Sequence, residues 1–129
     1  MAVGKSVLII GLQPELIDFS APDFAAFPGL NAAKIHAALE ADRAKLNGLG
    51  YEAQLCLTDA GETAEAVVAG LLKKKRFDCV LIGAGIRTIG RYFILFEKLI
   101  NAVHEHAPQA KLCFNTQPND TAEAVQRWI

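Results

Sequence analysis

Apolar and polar positions follow two alternating rhythms along this chain. The first is a short, nearly uniform apolar run, as at 6–10, which stops at Gly11 and reads as a strand covered on both faces. The second has a period of roughly 3.6 residues. Between 31 and 49, Ile35, Ala38, Leu39, Leu46 and Leu49 fall on one side of a helix, Asn31 suits its N-cap, and Gly48 and Gly50 mark its end. The same alternation then repeats. Residues 51–57 read as a strand. A helix is predicted over 62–75, with Ala64, Val67, Val68, Leu71 and Leu72 facing inward. Lys73, Lys74, Lys75 and Arg76 close that helix, where positive charge offsets the dipole. Strand 77–82, helix 91–106 and strand 111–114 follow. A last helix starts at Thr121, for which Asp120 and Glu123 have the spacing of a capping box.

Connections this short between like strands require right-handed crossovers, parallel neighbours and helices on both faces. The pattern predicts a three-layer, doubly wound α/β fold of flavodoxin-like or Rossmann-like type, with a four-stranded parallel sheet in the order 2-1-3-4. A length of 129 residues suits one domain over 1–129. In the helix at 91–106, Tyr92, Phe93, Ile94, Leu95 and Phe96 are consecutive, so they spread around the axis at about 100° per residue. Tyr92, Leu95, Phe96, Leu99 and Val103 can serve the sheet, which leaves Phe93 and Ile94 facing something else. Residues 92–103 and the free edge of the fourth strand therefore predict a homo-oligomer, in its simplest form a homodimer.

A hydrophobic share of 52% sets the chain apart from disordered sequences. Thirteen basic against fourteen acidic residues give a formal net charge of -1, which argues against a nucleic acid or an anionic membrane as partner. No run approaches the roughly 18–20 apolar residues of a membrane span. The run at 7–10 is too short for a signal peptide and is broken by Gly11, Gln13 and Glu15. Cys56, Cys79 and Cys113 each fall inside a strand-like run, as reduced cysteines used as small hydrophobes do, and this points to the cytoplasm. His36, His104 and His106 lie in helical segments without metal-ligand spacing, so no metal and no cofactor are expected.

Sheets of this kind take ligands beyond the carboxyl ends of their strands, at the point where strand order reverses. Here that point lies between the first and third strands. It receives Gln13 and Glu15 from one side, and Gly83, Gly85 and Arg87 from the other, flanked by Asp59 and by Asn115, Thr116 and Gln117. The segment 12–30 spans 19 residues, against about 2–6 for a usual connection, and carries Pro14, Pro22, Pro28, Phe19, Phe24 and Phe27. It reads either as a lid over a ligand or as an element sealing the sheet end and joining an interface.

Gly83-Ala84-Gly85 with Arg87 has the makings of an anion cradle, although the run lacks both the G-x-G-x-x-G spacing and a Gly-Lys-Ser/Thr ending. The bland alternative is a tight strand exit with an arginine at a solvated helix start. Glu15 set against Arg87 is the candidate base, or simply its ion pair. Asn115, Thr116 and Gln117 would orient a polar ligand. No histidine is expected in acid–base work, since His36 lies mid-helix.

The stretch from Gly61-Glu62-Thr63-Ala64-Glu65-Ala66 to Phe77-Asp78-Cys79-Val80-Leu81-Ile82-Gly83 resembles the second helix and third strand of response-regulator receiver domains. The resemblance implies the doubly wound fold and a role in protein–protein contact. Gly83 stands where receivers carry the phosphoacceptor aspartate, and Gly11 and Leu12 where they carry an acidic pair, so it implies no phosphorylation. Thr116 matches the strand-four Ser/Thr. Flavodoxins are similar in fold, but Leu12-Gln13-Pro14-Glu15 is unlike their Ser/Thr-rich flavin-phosphate loop. Two functions follow. One is a binding protein, or a cofactor-independent enzyme, for a small polar or anionic molecule at the strand ends. The other is a non-phosphorylatable receiver-like module or a structural homo-oligomer subunit.

Overall fold

A computed structural model of the chain describes residues 4–26 and 28–129. Strands β1 (Ser6–Leu12), β2 (Glu52–Thr58), β3 (Cys79–Ile82) and β4 (Lys111–Phe114) form one parallel sheet in the order β2-β1-β3-β4. That is the order and class the sequence predicts. Helices α1 (Ala32–Gly48), α2 (Ala64–Lys74), α3 (Ala84–Arg87), α4 (Phe93–His106) and α5 (Thr121–Gln126) complete the chain. Among the described residues no helix is long and apolar enough to cross a membrane.

Every residue of β1 is buried, because the strand is central and covered on both sides. Its side chains alternate between two cores. Leu8, Ile10 and Leu12 join Val68 and Leu72 of α2 and Leu95, Leu99 and Val103 of α4 on one face. Val7 and Ile9 join Leu46 of α1 and Ala124 and Val125 of α5 on the other. The second core is the thinner. Leu46 is the single apolar side chain of α1 that is fully buried, while Ile35, Ala38 and Leu39 stay half-buried.

Several local readings hold and others need correction. Asn31 caps α1 through a 2.9 Å bond from the Lys34 N–H. Phe93 and Ile94 are 59% and 57% exposed, as their positions on the helix demand. Val67 is not inward: the buried stripe of α2 is Ala64, Val68 and Leu72, and Val67 lies beside it. Asp120 does not cap α5. Its carboxylate accepts instead from the N–H groups of Thr116 (3.0 Å) and Gln117 (3.3 Å) and from the Thr116 hydroxyl, so it closes the turn before the helix. The helix expected from 91 begins at Phe93, after a 3-10 turn that buries Tyr92. The four-residue α3 was not foreseen.

Candidate functional site

Small residues leave the carboxyl end of the sheet unfilled on its α1 side. Gly11 lies one residue before the end of β1 there: a Cβ on it would meet only Leu57 and Leu39 side-chain atoms, at 3.6 and 3.9 Å. Gly83, Ala84 and Gly85 leave β3 with equally little bulk. The space amounts to a cavity of about 480 Å³. Ile35, Ala38 and Leu39 of α1 form one wall, and Ile86 and Ile89 line it on the α3 side. Ile17, Phe19, Phe24 and Leu30 of segment 12–30 also line it, and the Phe19 and Phe24 rings lie 5.3 Å apart at 52°. The segment is ordered by short 3-10 turns at Pro14–Leu16 and Pro22–Phe24, where proline sets the first helical φ. Phe27, counted above among its aromatic residues, lies outside the described residues.

One line of polar groups crosses this apolar lining. The Ala84 N–H donates to Asn115 Oδ1 at 2.9 Å, Asn115 Nδ2 donates to Thr121 Oγ1 at 3.0 Å, and the Thr121 hydroxyl donates to Asp42 Oδ2 at 2.8 Å. Four separate stretches of chain meet in it. Asp42, Asn115 and Thr121 are all buried, and all line the cavity. Burial pushes the Asp42 carboxyl above the ordinary aspartate range; the Thr121 bond pulls the other way, the Asp120 charge adds to the rise, and Lys45 opposes it.

Of the residues singled out from sequence, Gly83, Gly85, Asn115, Thr116 and Gln117 line the cavity, and Gln13, Glu15, Asp59 and Arg87 do not. The Gln13 N–H donates to the Thr58 carbonyl at 2.8 Å, tying the segment to the end of β2. Asp59 serves its own loop. It accepts from the Thr63 hydroxyl at 2.6 Å and from the N–H groups of Gly61, Thr63 and Ala64 at 2.9–3.1 Å, and the Thr63 bond, followed by the backbone ones, brings its carboxyl down to about 2.

Glu15 and Arg87 are not brought together. Glu15 is hydrogen-bonded to Nε2 of His36, which holds its carboxyl below the usual range, and the pair is exposed at the surface. His36, mid-helix, thus lies opposite a carboxylate at the surface, outside the cavity lining. Arg87 ends α3, and that helix turns it toward β4: its Nη2 donates to the Asn115 carbonyl, and its guanidinium lies 5.6 Å from the centre of the Phe114 ring. Arg87 therefore tethers the strand end that carries Asn115. The expected anion cradle has lost its cation.

The thiols are core groups. Cys56 is pushed up to about 11 by burial, and the sulfurs of Cys79 and Cys113 lie 3.2 Å apart inside the second core.

No protein-family model matches this chain, and no curated protein matches it. The site has to be read from its own residues.

Asp42 and Thr121 are the two buried polar cavity residues that sequence reasoning passed over. A signal for Asp42 was present. It falls three residues after Leu39 and four before Leu46, so it occupies the apolar stripe of α1. A lone acid on that stripe is a residue whose charge must be accounted for. Thr121 carried no comparable signal, because a helix start favours threonine for capping alone.

Proposed function

We propose that this protein binds a small organic molecule in the cavity between α1, segment 12–30 and the carboxyl ends of β1 and β3. The observation that carries the reading is the cavity itself. Its volume of about 480 Å³ lies within the roughly 300–1,000 Å³ of small-molecule sites, and a mostly apolar lining with a few convergent polar groups is their usual composition. On this reading segment 12–30 is a lid. Binding is favoured over catalysis, since neither Glu15 nor Arg87 lines the cavity.

Ala38 offers a direct test, because it is a small side chain on the α1 wall. A compound panel scored by thermal shift is expected to contain molecules that raise the melting temperature of the wild type. Ala38→Phe, which fills the same space, is expected to fold and to lose those shifts. If the panel gives no shift at all, or if Ala38→Phe retains every one, the reading is wrong.

A second reading rests on the outer face of α4, where Phe93 and Ile94 are both more than half exposed. It makes the chain a self-associating subunit or receiver-like module working through that face or through the unpaired edge of β4. A module of that kind has no use for a cavity at the strand ends, and so this reading ranks second.

A further inference from the structure

The polarity of the hydrogen-bond line says what kind of molecule the cavity takes. Each link donates in the same sense: from the Ala84 N–H to Asn115, from Asn115 to Thr121, and from Thr121 to Asp42. The line therefore ends on an acceptor. Asp42 Oδ2 receives the Thr121 bond, and among the described residues no donor reaches Oδ1. The other hydroxyls along the lining are also spent as donors on the protein. Thr88 donates to the Ala84 carbonyl at 2.6 Å, and Thr116 donates to Asp120. Beside the amides of Asn115 and Gln117, the wall thus offers one open carboxylate acceptor, on Asp42.

Charge points the same way. Among the described residues that line the cavity, Asp42 is the one with an ionisable side chain, and none is basic. It is 7% exposed, and the carboxylate of Asp120 is close enough to act on it unfavourably, with Lys45 as the opposing charge. A carboxylate or phosphate placed beside Asp42 would meet a like charge in an apolar surrounding, which is strongly unfavourable. A protonated amine would meet a buried acceptor with lone pairs to spare and form a charge-assisted hydrogen bond. Resting on the binding reading above, we infer that the ligand is an apolar amine: a hydrocarbon or aromatic body filling the Ile35–Leu39 side, with one protonated nitrogen on Asp42. Of the polar or anionic ligands expected from sequence, this inference sets the anionic ones aside in favour of a cation.

A matched series tests this without knowledge of the natural ligand. Phenylbutylamine, phenylbutanol and phenylvalerate share one body and differ at the head group, and calorimetry on the wild-type protein gives their relative affinities. The amine is expected to bind at least about tenfold more tightly than the alcohol, and the acid more weakly than either. In Asp42→Asn the amine is expected to fall to the level of the alcohol. Equal binding of amine and alcohol, preference for the acid, or an amine advantage that survives in Asp42→Asn would each overturn the inference while leaving the cavity as a binding site. If neither the three compounds nor the uncharged dye Nile red binds, the binding reading falls with it. The wild-type comparison decides the matter even if the variant does not fold.

Discussion

On α1, Leu39 and Leu46 flank Asp42 along the stripe that meets the sheet, and an aliphatic side chain there would extend the second core. The chain instead buries a carboxyl whose proton is held to higher pH than the ordinary aspartate value of 3.8. Folding takes up a proton between that value and the raised one, so this group's contribution is most favourable below 3.8 and is lost as pH rises through the raised value. Asp42→Asn keeps an acceptor for Thr121 and removes the charge. It is expected to be more stable than wild type near neutral pH, by about 1 kcal/mol, the low end of what an uncompensated buried polar group costs. The gain should close as pH falls toward the ordinary aspartate range. Urea unfolding of both proteins across that range checks it, and a gain independent of pH would show that ionisation is not its source.

At the level of elements, the caps divide into those that act on helices and those that act on loops. Asn31 holds the first turn of α1, which also presents Ile35 and Ala38 to the cavity. Asn31→Ala is expected to lower stability by about 1 kcal/mol, read as an earlier urea midpoint with an unchanged slope. Periodicity found all four strands, four of the five helices and the strand order, because long apolar stripes and buried runs are set by burial alone. It did not find α3. Four residues are too few to show a period, and Gly83-Ala84-Gly85 reads as a strand exit. Missing α3 also misplaced Arg87, since that one helical turn sends the guanidinium toward Phe114 and away from β1. The lining residues Gly83, Gly85, Asn115, Thr116 and Gln117 were legible from topology, which fixes the strand ends. The Asp42–Thr121 contact joins residues 79 apart in sequence, and no local rule connects them.

Across the whole molecule the two layers are unequal. The α2/α4 side is filled by large side chains, and its surplus, Phe93 and Ile94, faces outward. If that surplus is an interface, Phe93→Glu with Ile94→Lys is expected to shift the protein from dimer to monomer in sedimentation, with the fold unchanged by circular dichroism. A wild type that is already monomeric at high concentration would remove α4 as a self-association surface. The α1/α5 side has the opposite condition, a helix whose first half stands over open space. A guest in that space would complete the layer, and whatever binds the folded chain alone also protects it from unfolding. Since proteases in a cell act on the opened chain, the lifetime of this protein would then follow the supply of its ligand, and its abundance would report that supply.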